Sequence, residues 1–62
     1  MIKLKAKQSS PGNYTVNTKN GTVGVWYSYE FKMWAVTWPD GDVEILWNTK
    51  KEIMNMLDSM ET

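Results

Sequence analysis

The sequence predicts a β-rich α+β domain: a curved antiparallel sheet or small barrel of four to five strands in meander order, with one C-terminal helix packed on a sheet face. Three observations lead there. Apolar and polar residues alternate with a period of two in segments between residues 2 and 47. Gly- and Pro-bearing turn signals separate those segments by only a few residues, so neighbours in sequence pair in space. After Thr49 the apolar period lengthens to that of a helix.

Ile2, Leu4 and Ala6 alternate with Lys3, Lys5 and Lys7, the pattern of a half-buried strand over residues 2–7. Ser9-Ser10-Pro11-Gly12 reads as a turn, because Pro presets φ and Gly tolerates a positive one. A more polar strand follows over residues 13–18. Asn20-Gly21 then carries the residues a type I′ hairpin turn demands. Residues 22–29 are rich in β-branched and aromatic side chains and predict a strand. Glu30-Phe31-Lys32-Met33 reads as a hairpin loop or bulge, residues 34–38 as a fourth strand, and Pro39-Asp40-Gly41 as a tight turn. Residues 42–47 make the fifth strand. Thr49 and Glu52 have the spacing of a capping box. Ile53, Met56, Leu57 and Met60 then mark an amphipathic helix over about residues 50–60.

The chain of 62 residues, 42% apolar and 23% charged, is expected to form one globular domain over 1–62. At this size only about 60% of the unfolded surface is buried, so each large side chain counts. The chain has eight aromatic residues, seven of them within residues 26–47. Two readings of that concentration stand: a core built mainly from rings, or a core with one or two rings left outside for docking.

Composition removes much chemistry. There is no Cys, His or Arg, and all seven cations are Lys. Disulfides, thiolate or imidazole metal sites, Cys nucleophiles and His-based proton transfer are therefore excluded. Asp40, Asp42 and Glu44 lack the further ligands of a calcium loop, and Asp40 is expected to stabilise its own turn. Ser9 and Ser10 have no base beside them. Gly21 and Gly24 precede no helix that would cradle phosphate. No apolar run approaches the roughly 18 residues of a membrane span, and MIKLKAKQ lacks a signal-peptide stretch. A non-enzymatic cytoplasmic protein without cofactor, metal or membrane contact is expected.

Strand parity sorts the side chains into two faces. Val23, Val25, Tyr27 and Tyr29 share one side, with Trp34, Val36 and Trp38, and with Val43, Ile45 and Trp47; this rich face is expected to meet the helix. The reverse face carries Thr22, Trp26, Ser28, Ala35, Thr37, Glu44 and Leu46, and is expected to be largely solvated. Trp26 stands out there. A Trp among small polar residues either covers a second side of a curled barrel or contacts a partner, and Trp is enriched among binding hot spots. The candidate partner-binding residues are Trp26, Met33, Thr37 and Leu46.

Charge is uneven along the chain. Residues 1–38 hold five Lys against one Glu (+4), and residues 39–62 hold two Lys against six acids (−4), for a net charge of zero. Lys3, Lys5 and Lys7 either guard an edge strand against aggregation or form a phosphate-tracking stripe. With Lys19, Lys32 and exposed rings they are the candidate nucleic-acid contacts.

Two family resemblances accompany this reading. Gly21-Thr22-Val23, then Trp34-Ala35-Val36-Thr37-Trp38-Pro39-Asp40-Gly41 and a strand ending near Leu46, resemble a Tudor-like or chromo-like small barrel over residues 21–47. That resemblance implies a non-enzymatic binder of peptides, modified side chains or nucleic acid. Gly24-Val25, Lys32-x-Trp34-Ala35-Val36, Asp40-Gly41 and Thr49-x-x-Glu52 resemble the APETALA-type DNA-binding domain, three strands followed by a helix, over residues 22–58. In that family the sheet enters the major groove and its Arg and Trp side chains make contacts. Here no Arg exists to make the bidentate guanine contact. The expected function is a small adaptor or inhibitor of a protein partner, of the kind a phage encodes to modulate a host protein. The alternative is a nucleic-acid-binding module using a Lys-bearing aromatic sheet face. Either a monomer or a homodimer is compatible with an exposed patch.

Overall fold

Alternation and short turns produce the expected meander. In the computed structural model, which describes residues 4–61, the strands are β1 (Ala6–Ser10), β2 (Asn13–Thr18), β3 (Gly21–Ser28), β4 (Met33–Thr37) and β5 (Val43–Trp47). They form one antiparallel five-stranded sheet in the order β1-β2-β3-β4-β5, followed by helix α1 (Lys50–Glu61). The sheet stays open and does not close into a barrel.

The turns account for the strand boundaries. Pro11 and Gly12 suffice for the first, with Gly12 at φ 79°, the sign a type II turn requires at that position. Ser9 and Ser10 therefore remain in β1, which starts later than alternation alone suggests; Met1, Ile2 and Lys3 lie outside the described residues. The second turn falls on Lys19-Asn20, one residue before the expected Asn20-Gly21. Thr18 pairs with Gly21, and only Gly21 takes positive φ, at 126°. The Thr18 hydroxyl accepts the Asn20 N–H at 3.2 Å and donates to the Gly21 carbonyl at 2.7 Å, closing that loop. Pro39-Asp40-Gly41 turns as expected: the Gly41 N–H donates to the Trp38 carbonyl at 2.9 Å, and the Asp40 carboxylate accepts the Asp42 N–H at 3.0 Å.

One face of the sheet and the helix make the core. Val16, Val23, Val25 and Val36 meet Ile53 and Leu57, each with 2% exposure or less. Leu4, Ala6, Tyr14, Trp34, Trp38, Trp47, Met54 and Met56 pack around them. The rich face of β3 and β4 is thus the core face. Tyr29 departs from it, 82% exposed, because β3 ends at Ser28. Met60 is also 47% exposed, at the last turn of the helix.

The helix is held at both ends. The Thr49 hydroxyl accepts the Glu52 N–H at 3.2 Å and donates to the Glu52 carboxylate at 3.4 Å. Toward the C-terminal end, Asp58 accepts the Leu4 N–H and Glu61 accepts the Lys19 N–H, each at 2.8 Å. Acids near a helix C-terminus oppose the macrodipole, and these two charge-assisted bonds offset that by tying α1 to the β1 approach and the β2–β3 turn.

β5 corrects the expected faces. Trp34 pairs with Trp47 and Ala35 pairs with Ile45, so Leu46 is an extra residue and the strand bulges. Beyond the bulge parity is inverted. Val43 lies opposite Thr37 and Ile45 opposite Ala35, on the reverse face, while Glu44 lies opposite Val36 on the core side. There the Trp38 indole N–H donates to the Glu44 carboxylate at 2.6 Å. Val43 and Ile45 are accordingly absent from the core, and Val43 is 51% exposed.

Candidate functional site

Pairing across β3, β4 and β5 assembles the reverse face row by row. One row runs Asn13, Trp26, Ala35, Ile45; the next runs Lys7, Thr15, Gly24, Thr37, Val43. Met33 lies opposite Ser28 at the start of β4. This face was expected to be largely solvated, and its centre is not. Ala35 is fully buried and Ser28 is 6% exposed, although neither belongs to the core cluster.

The cause lies in the neighbours. Ala35 has Trp26 and Ile45 as its cross-strand partners, and the Trp26 indole N–H donates to the Thr37 hydroxyl at 3.0 Å. Thr37 lies two residues beyond Ala35 along β4, so that bond draws the ring across the strand. Trp26 is half-buried: it covers small residues of its own face and keeps part of its surface toward solvent. Ser28 is sequestered by the turn, where its hydroxyl accepts the Phe31 N–H at 3.3 Å.

Of the expected partner-binding residues, Trp26, Met33 and Thr37 are half-buried on this face, and Leu46 is 63% exposed in the bulge next to it. Val43 and Ile45 join them, having been assigned to the core by strict alternation. A signal for the bulge existed in Ile45-Leu46-Trp47: three consecutive apolar residues cannot all alternate with polar ones.

The lysines do not converge. Lys7 is exposed on the reverse face of β1, and Lys5 is exposed just before that strand. Lys19 lies in the β2–β3 turn and Lys32 in the β3–β4 turn, at opposite ends of the sheet. Lys3 lies outside the described residues. Lys50, not among the candidates, places its ammonium 4.1 Å from the centre of the Tyr14 ring.

Most other rings serve packing. Trp34 contacts Tyr14 with centroids 6.2 Å apart and Tyr27 edge-on at 5.6 Å, and Tyr27 meets Tyr29 edge-on at 5.0 Å. At the opposite end, Trp38, Pro39, Leu57 and Met60 line a cleft of about 50 Å³. Asn20, Trp38, Pro39 and Asp40 border a shallow depression of about 300 Å³. Among the described residues no group of three or more acids is gathered to hold a metal ion, and no helix is long and apolar enough to cross a membrane. No protein-family model, curated protein or solved structure matches the chain.

Proposed function

We propose that the chain is a non-enzymatic protein-binding module, a small adaptor or inhibitor, that docks its partner on the reverse face of β3, β4 and β5. The bulge in β5 is the observation that carries this reading. It adds Val43 and Ile45 to Trp26, Met33 and the neighbouring Leu46, and so makes a contiguous apolar strip where alternation predicts a polar surface. Single exposed apolar residues are ordinary; a contiguous strip flanked by polar residues is typical of docking surfaces. Asn13, Thr15 and Thr22 supply the polar flank. The lack of His and Cys, with clefts at or below the small end of the range for substrate sites, supports a role without catalysis.

The test is capture of a partner by immobilised chain. Leu46→Asp and Val43→Asp replace exposed side chains, so each is expected to change stability by no more than about 0.5 kcal/mol. Each is expected to weaken capture at least tenfold, because a carboxylate must then be desolvated in an apolar contact. Lys51→Glu, on the exposed side of α1, is expected to capture like the wild type. Retention of capture by both face variants would refute the reading.

Nucleic-acid binding is the second reading, favoured by Lys7 sharing a face with Trp26 and by Lys5 beside it. Two phosphate contacts give a salt slope of only about −1.4 on a single strand, hence weak binding. Quenching of Trp fluorescence by an oligonucleotide at low salt, reversed at high salt, is its expected signature; a flat trace removes it.

A further inference from the structure

The two margins of the sheet differ as templates for a further strand. An edge strand presents unpaired N–H and C=O groups, and proteins blunt such edges with lysines, prolines and irregular pairing. β1 carries those devices: Lys5 and Lys7 are exposed at its start, its pairing slips between Gln8 and Ser10, and Pro11 follows it. β5 holds neither Lys nor Pro, and its bulge falls at Leu46, beyond a regular arm from Val43 to Ile45.

Backbone alternation sets what that arm offers. The Trp38 N–H donates to the Asp42 carbonyl at 2.7 Å, so Glu44 turns its backbone groups toward β4 while Val43 and Ile45 turn theirs outward. β5 pairs with β4 alone, and among the described residues no hydrogen bond closes off those outward groups. Side-chain parity adds a second constraint. Val43 and Ile45 stand on the reverse face, whereas Glu44, with Asp42 of the same parity, stands on the core side and is exposed. The Trp38 indole bond fixes the Glu44 carboxylate in place. A strand added here sets two residues beside Val43 and Ile45, and the residue between them beside Glu44. Apolar side chains suit the first two positions, and Lys or Arg suits the third.

We propose that β5 takes an extended segment of a partner protein, with apolar and basic residues alternating, as an antiparallel sixth strand. This rests on the reading of the chain as a protein-binding module and specifies what the partner presents. Its apolar side chains continue the strip of Trp26 and Ile45, and main-chain bonds to Val43 and Ile45 fix its register. A second copy suits this edge poorly. Joining β5 to β5 gathers the acids of both copies on one side of the joint. Continuing the sheet through another copy's β1 sets Lys7 beside the valine and isoleucine and Ala6 beside Glu44, because Ala6 pairs with Val16 on the core face.

The probe is a peptide of about ten residues in which Lys and Val alternate, added to the full chain and followed by NMR-detected amide exchange. With about 1 mM peptide, exchange at the Val43 and Ile45 N–H groups is expected to slow about fivefold, and that of Glu44, already bonded to β4, to stay unchanged. A peptide of the same composition in the order Lys-Lys-Val-Val is expected to leave both amides unprotected, as is one with Glu for Lys. Val43→Pro removes an outward donor at the first residue of an edge strand, where Pro is tolerated, and is expected to weaken binding about tenfold. Val43→Thr keeps that N–H and is expected to bind like the wild type. Methylating the peptide's Val amides, which face β5, is expected to abolish binding, and methylating its Lys amides to spare it.

Absence of protection at Val43 and Ile45 overturns the inference, as does equal protection by the paired-order peptide or binding that survives Val methylation. Shifts confined to Trp26 and Met33 overturn it while supporting docking on the face, whose capture experiment stands apart. Protection that grows with the protein's own concentration, without peptide, assigns the edge to a second copy and overturns it as well.

Discussion

Lys32 is the one non-glycine residue with positive φ among the described residues, at 55°. The left-handed region costs an L-residue about 1–2 kcal/mol, while glycine adds about 0.5–1 kcal/mol of backbone entropy in the unfolded chain. Lys32→Gly is therefore expected to stabilise the protein by about 0.5 kcal/mol, read as a small rise in melting temperature. Trp26 presents the opposite balance. Its half-buried ring covers Ala35 and donates to Thr37, so Trp26→Ala is expected to cost about 2 kcal/mol. That lies between a surface change and the roughly 3–5 kcal/mol of a core ring, and denaturant unfolding distinguishes the three. Position 26 was legible as the exceptional residue of its face. Its hydrogen bond was not, because Thr37 becomes a neighbour only once β3 and β4 pair.

Strands and helix were legible wherever the pattern was local. The Asp40 turn forms as its residue types require, and so does the Thr49 half of the expected capping box, its hydroxyl accepting the Glu52 N–H while the Glu52 carboxylate takes the Thr49 hydroxyl. The face of β5 was misread because alternation carries no record of a bulge. Leu46 is the spare residue in the ladder, so its deletion is expected to leave Ile45 paired with Ala35 and Trp47 with Trp34, with cooperative thermal unfolding retained. Deleting Val36 removes a ladder residue from a central strand that has no spare, and exchanges faces along the rest of β4. That variant is expected to lose the cooperative transition in the same circular-dichroism melt.

At the scale of the molecule, a chain of 62 residues carries a stability of about 3–9 kcal/mol at the usual 0.05–0.15 kcal/mol per residue. Among the described residues its buried cluster is six aliphatic side chains, two of them from the helix. Leu57→Ala, at 2% exposure, is expected to cost about 3 kcal/mol and so remove a large share of the total. The check is a fall in the urea midpoint with an unchanged slope. The helix acids act at this scale also. Asp58 and Glu61 bind backbone N–H groups 54 and 42 residues away in sequence, and thereby fasten the last element to the segment before β1 and to the β2–β3 turn.

Local periodicity and turn chemistry, both properties of neighbouring residues, determined the meander, the capped helix and the valine-rich core face. The apolar extent of the opposite face was decided only in the tertiary structure. Backbone hydrogen-bond register between β4 and β5 is a relation between distant segments, and a single unpaired residue in it exchanges the sides on which Val43, Glu44 and Ile45 stand.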